Sequence, residues 1–148
     1  MRLIPIEKHG FVSLSVPNPP DIVRDVIAST IALYERQGYE PPWIGYLAVE
    51  DDSCVGTCAF TSAPTQGQVE IAYFTFSPNE GRGVATRMAQ LLIGLATATD
   101  ASVLVKAHTL PEENASTTVL RRLGFEFAGV VEHPTDGTIW EWRHRPSR

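Results

Sequence analysis

Residues 68–76 are rich in aromatic and β-branched side chains, as in a strand buried in a sheet. The chain then passes Pro78 and the glycines Gly81 and Gly83, and from Val84 its apolar residues (Val84, Met88, Leu91, Leu92, Leu95) keep to one face of a helix over 84–98. This switch of period across a short glycine turn is the strongest constraint on the fold. A helix with one apolar stripe must bury it, and the strand just left behind belongs to the nearest surface able to cover it, so the chain is committed to a helix-on-sheet layer.

The remaining elements fit that layer. A short strand near 11–16 precedes a break at Pro17, Pro19 and Pro20, and a helix from about Asp21 carries Ile22, Val23, Val26, Ile27, Ile31 and Leu33 until Gly38. Strand-like runs at 43–49 and 54–60 flank the hairpin turn Glu50-Asp51-Asp52-Ser53. Next come a strand over 102–109, a short helix over 115–123 ended by Gly124, and strands over 125–131 and 138–142 joined by an Asp136-Gly137 turn. Strands, helix, strand, helix, strands make a mixed α/β domain without repeats, and 148 residues suit one domain.

Several functions are disfavoured. The net charge of −5 speaks against a nucleic-acid partner; the basic pair Arg121-Arg122 and the tail Arg143, His144, Arg145 and Arg148 read as solvated faces. The two cysteines, Cys54 and Cys58, are four apart on a strand, which places both on one face as reduced core thiols. The four histidines are scattered without metal spacing, so no metal is expected. No apolar run is long enough to span a bilayer and no secretory h-region follows Met1, which predicts a cytoplasmic protein with no membrane partner.

The turn Glu80-Gly81-Arg82-Gly83-Val84-Ala85-Thr86 carries the chemical signal. Glycines let backbone approach a ligand, and the free N–H groups at a helix start attract an anion such as a diphosphate. A turn that merely needs glycine would look the same. No Gly-Lys-Ser/Thr follows, and the third glycine of a dinucleotide fingerprint is missing.

The run from Ile71-Ala72-Tyr73 through Gly81-Arg82-Gly83-Val84-Ala85-Thr86 resembles the acetyl-CoA motif of GNAT acetyltransferases. Residues 109–117 and Leu120-Arg121-Arg122-Leu123-Gly124-Phe125 resemble the second motif of the branch that acetylates ribosomal-protein N-termini. The resemblance covers about half the chain, 68–142. It implies one α/β (α+β) domain over 1–148, with a mixed, mostly antiparallel sheet of six to seven strands, flanked by helices and with its central strands splayed. It further implies acetyl transfer from acetyl-CoA to a primary amine by direct attack in a ternary complex; a homodimer is compatible with it. By the same resemblance, Tyr73, Phe74 and Thr75 offer backbone to the pantetheine and acetyl group, Gly81, Arg82, Gly83, Val84, Ala85 and Thr86 hold the diphosphate, and Asn114 contacts CoA.

Glu70, on the same strand, is the candidate base through a water, although a carboxylate at a strand end can also be idle. Ser116 matches a serine placed near the sulfur in the ribosomal-protein branch, or it caps the short helix. The sequence departs from the family at Glu80, where Arg or Gln is usual, at Glu113, where Asn is usual, and at Arg121, where many relatives have a Tyr general acid. Those departures favour an alternative, a CoA-binding or ligand-sensing module without activity. His108 alternates with Lys106 on its strand and could approach the site, but a lone His is more often structural. The acceptor, a small-molecule or peptide amine, stays open among N-terminal peptides, amino acids, polyamines and aminoglycosides.

Overall fold

A computed structural model describes residues 1–13 and 15–144. Seven strands form one sheet: β1 (Arg2–Pro5), β2 (Gly45–Glu50), β3 (Ser53–Phe60), β4 (Gln68–Thr75), β5 (Leu104–Thr109), β6 (Phe125–His133) and β7 (Gly137–His144), in the spatial order β1-β2-β3-β4-β5-β7-β6. The helices are α1 (Ile22–Gln37), α2 (Val84–Thr99) and α3 (Ala115–Arg122). Every neighbouring pair is antiparallel except β4 and β5. No helix among the described residues is long and apolar enough to cross a membrane.

Strand side chains alternate between the two faces, and this decides what each helix covers. On one face Val69 and Ile71 of β4, with Tyr46, Cys58, Phe60, Val105 and Trp142, pack against Val84, Met88, Ala89 and Leu92 of α2 and Leu120 of α3. On the other, Leu47, Cys54 and Phe76 pack against Ile6 and Val23 of α1. The sheet is therefore a partition, with α2 and α3 on one side and α1 on the other.

Two irregularities shape this partition. Between β2 and β3 the register passes from Ala48↔Gly56 to Val49↔Cys54, so Val55 is an extra residue that reverses the alternation. Cys54 consequently joins the α1 side and Cys58 the α2 side, which corrects the expectation that both thiols share a face. Burial pushes the thiols up to about 11 and 12, and they are inert at neutral pH. The second irregularity is central: the parallel β4–β5 register ends at Ile71↔Ala107, while β4 continues to Thr75 against β3 and β5 to Thr109 against β7. The central strands are splayed.

The N-terminal strand also differs from expectation. It is β1, which adds to the edge of β2, and among the described residues of 11–16 none is in a strand. Val12 and Val16 still pack against the α1-side core, so the alternation there reflects half-buried extended chain without a ladder. Arg145 and Arg148 of the basic tail lie outside the described residues, as does Leu14.

A buried phenol fastens α1 to the first two strands. Tyr34 Oη donates to the Ile6 carbonyl at 2.7 Å and accepts from the Gly45 N–H at 2.9 Å. Tyr34→Phe removes both partners and strands a buried N–H, so unfolding in urea should show a loss of about 1–3 kcal/mol. An unchanged midpoint at unchanged slope would mean the Gly45 N–H has another acceptor.

Candidate active site

The fork between β4 and β5 exposes backbone. Thr61 N–H donates to the Glu70 carbonyl and Phe76 N–H to the Val55 carbonyl, which fixes the antiparallel alternation: even-numbered residues of β4 bond to β3. Tyr73 and Thr75 therefore turn their N–H and C=O groups toward the side β5 has left. Phe74, expected to offer its backbone as well, bonds to β3 and contributes its half-exposed ring instead.

A cleft of about 630 Å³ opens from this fork on the α2 face. Tyr73, Phe74 and Thr75 form its inner end; Gly81, Gly83, Val84, Ala85 and Thr86 line its mouth, with Asn79 and Glu80 beside them and Ser116 and Arg122 of α3 opposite. Gly83 is the N-cap of α2 at φ 75°, a conformation that costs a side-chain-bearing residue, and no side chain caps the helix. The first intrahelical bond runs from Arg87 N–H to the Gly83 carbonyl, which leaves the Val84, Ala85 and Thr86 N–H groups free for an anion. Gly81, at φ 77°, turns the loop into this cradle.

Arg87, which the sequence reading passed over, holds the loop. Its Nε and Nη2 donate to Glu50 of β2 at 2.6 and 2.8 Å, and Nη1 donates to the Arg82 carbonyl at 2.9 Å. Arg82 itself does not line the cleft. Asn114 does not line it either: its side chain accepts from Thr117 N–H at 3.1 Å and Thr117 Oγ1 accepts from Asn114 N–H at 3.0 Å, a capping box. Ser116 is thus spared capping, and its hydroxyl has no partner among the described residues.

Two departures from the family pattern answer each other. Glu113 forms a two-pronged ion pair with Arg121, with Nη2 to Oε1 at 2.7 Å, and also accepts from Thr117 Oγ1 at 3.0 Å. The Arg121 guanidinium, then Thr117, hold this carboxyl down to about 2. The Arg121 guanidinium carbon lies 5.0 Å from the centroid of Trp142, stacked on its ring. The carboxylate at position 113 is neutralised beside the cleft, and Arg122, exposed as its solvated reading implied, also lines the cleft, with no ion-pair partner among the described residues. The spacing of Ala115, Val119 and Arg122 along one helical face was the signal for this.

On the opposite face of the partition α1 and strands β3–β4 enclose a groove of about 560 Å³, floored by Thr57, Ala59, Ala72 and Phe74 and walled by Ile22, Val26 and Leu33. Tyr73 and Phe74 line both groove and cleft. Burial pushes the Tyr73 phenol up to about 12, so it stays protonated. Glu70 lies two residues along β4 from Ala72, on the same face, and its Oε2 is 3.2 Å from Nδ1 of His108; Nε2 of His108 is 3.1 Å from Oε1 of Glu141 on β7. Glu70 and then Glu141 raise the His108 pKa against the opposing effect of burial. Among the described residues no group of three or more His, Cys, Asp or Glu side chains is arranged to hold a metal.

The model of the acetyltransferase (GNAT) domain family matches residues 7–126. No curated protein matches the chain by sequence. Among solved structures the fold resembles RimL, a ribosomal L7/L12 alpha-N-protein acetyltransferase in complex with coenzyme A, at 19% identity and a TM-score of 0.64 over 82% of this chain and 70% of that one. Aminoglycoside acetyltransferase AAC(6')-Ib in complex with coenzyme A follows at 19% identity and 0.59, over 68% and 65% of the two chains. Spermidine N-acetyltransferase SpeG from Vibrio cholerae gives 12% and 0.65, over 82% and 76%.

Capping and cleft roles on α3 separate experimentally. Asn114→Ala should cost about 1 kcal/mol of stability, read by thermal or urea unfolding, whereas Ser116→Ala should leave stability within about 0.5 kcal/mol of wild type. The reverse ranking would show that Ser116 supports the helix.

Proposed function

The chain belongs to the GNAT acetyltransferase family, and on that premise we propose that it transfers the acetyl group of acetyl-CoA to a primary amine, small-molecule or peptide, by direct attack within a ternary complex. One observation carries this reading: a donor-sized cleft and an acceptor groove on opposite faces of the sheet meet at Tyr73 and Phe74, where the ladder between β4 and β5 has opened. The CoA-bound neighbours support the identity of the donor.

Acetyl-CoA supplies the activated acyl group as a thioester. The cradle fits its diphosphate: free N–H groups of Val84, Ala85 and Thr86 face the cleft, and a Cβ at Gly83 would stand 3.0 Å from Arg87 Nη1. Arg122 adds a cation at the rim. The N–H groups of Tyr73 and Thr75 are donors for charge developing on the thioester oxygen. Glu70 removes the proton of the incoming ammonium, directly or through a water. Of the hydroxyl groups lining the cleft, Ser116 and the protonated Tyr73 phenol are our candidates to return a proton to the departing sulfur. The buried thiols, inert at neutral pH, leave direct attack as the route that needs no acyl-enzyme. We place this reaction in the cytoplasm.

The reading without activity rested on Glu80, Glu113 and the missing Tyr. The ion pair of Glu113 with Arg121 removes one of those supports; Glu80 is exposed at the cleft mouth, where its carboxylate can turn to water.

Titration calorimetry with acetyl-CoA should show one saturable site in the wild type, weakened about tenfold or more in Gly83→Glu, a loss of at least about 1.4 kcal/mol. Absence of binding to the wild type would sink the enzyme reading. Once an acceptor amine is in hand, Glu70→Gln should lower kcat about 10²–10⁴-fold near pH 7. The deficit should shrink at higher pH as the amine deprotonates unaided; wild-type turnover at pH 7 would remove Glu70 from the chemistry.

A further inference from the structure

The sheet face toward α1 carries a chain of side chains that the mechanism above leaves mostly unused. His108 is the first residue of β5 beyond the last β4–β5 pair, so it stands in the crotch of the fork. Its ring reaches back to Glu70 of β4 and across to Glu141 of β7, at 3.2 and 3.1 Å, and its side chain is only 17% exposed. Glu141 is held from behind: Arg143 Nε donates to its Oε2 at 3.0 Å and Nη2 stands 2.9 Å from the same oxygen.

The chain Arg143–Glu141–His108–Glu70 is saturated at one end and open at the other. Both oxygens of Glu141 are engaged, whereas Glu70 has one oxygen tied to His108 and its Oε1 without a partner among the described residues. That unpartnered oxygen belongs to a residue two positions along β4 from Ala72 of the groove floor, on the same face of the strand. We propose that His108 is a positioning residue for acetyl transfer: its imidazolium, anchored on Glu141, closes the fork where the main-chain ladder ends and presents the remaining Glu70 oxygen to the acceptor amine. This rests on the reading of the chain as an acetyltransferase with Glu70 as its base.

The arrangement depends on the charge of the ring. As an imidazolium, His108 donates from both nitrogens; as a neutral ring it donates from one and turns a lone pair toward the other carboxylate. Among the described residues, Lys106 of β5, the cross-strand neighbour of Glu70, and Glu126 of β6, the cross-strand neighbour of Arg143, are further charged groups on this face; Asp25 and Arg36 of α1 line the groove. With its folded pKa raised, the ring's contribution to stability is complete below its ordinary value and is lost as pH rises through the raised one. The clamp therefore opens on the alkaline side.

Two measurements test this. In nitrogen-15 NMR of the free wild-type protein, His108 should titrate above the ordinary His value, and Glu70→Gln and Glu141→Gln should each lower that midpoint; a midpoint at the ordinary value, insensitive to both variants, overturns the clamp without reference to activity. In kinetics His108→Gln should bind acetyl-CoA as the wild type does and lose about 10- to 100-fold in kcat with little change in the acceptor KM. The wild type should show an alkaline decline of kcat/KM, and that decline should be missing from His108→Gln. If Glu70→Gln is impaired while His108→Gln matches the wild type in rate and pH profile, the positioning role is wrong and the base stands. If Glu70→Gln is itself unimpaired, base and clamp fall together.

Discussion

The backbone bonding between β4 and β5 stops at Ile71 and Ala107, and from there each strand finishes its ladder with a different partner. A peptide group buried without a partner is costly, so a parallel pair that parts in mid-sheet creates polar groups that solvent or a ligand must satisfy. Tyr73 and Thr75 are left in that position by the alternation of the β3–β4 ladder. The cleft, the groove and the His108 chain all lie around this opening, and Tyr73 and Phe74 line both the cleft and the groove there.

Electrostatics around the opening is arranged by pairing. Arg87 holds the Gly81–Gly83 loop against Glu50, and Arg121 takes up Glu113, so neither carboxylate presents free charge to an anionic donor. Arg122, which has no ion-pair partner among the described residues, and the N–H groups at the start of α2 then contribute positive potential at the cleft, with Glu80 exposed at its mouth. A Glu in place of the family's Asn and an Arg in place of its Tyr look like two separate losses along the sequence; in space they form one ion pair stacked on Trp142.

The glycine turn and the amphipathic helix after it were legible because each obeys a local rule: glycine where φ is positive, apolar residues at helical spacing. The pairing of the last two strands was legible in the Asp136-Gly137 turn, whereas the placing of β7 between β5 and β6 was not read from the sequence. What escaped was set by register. Cys54 and Cys58 should share a face in a regular strand, and only the extra Val55 separates them. Alternation at 11–16 signalled half-burial without revealing that the four residues of β1 occupy the edge. His108 looked like any lone histidine because its two carboxylates lie 38 and 33 positions away in the chain.

The sheet's role as a partition has an evolutionary consequence. On the α2 side the donor would be gripped largely through main-chain groups and glycines, which tolerate replacement of most neighbouring side chains. On the α1 side the groove is built from side chains of one helix and two strands, with no residue but Tyr73 and Phe74 shared between the two surfaces. Substitutions that redesign the acceptor surface can accumulate without disturbing the donor grip. A lineage built this way can change what it modifies while keeping what it spends, and relatives would then be identifiable by their glycines long after their acceptors have diverged.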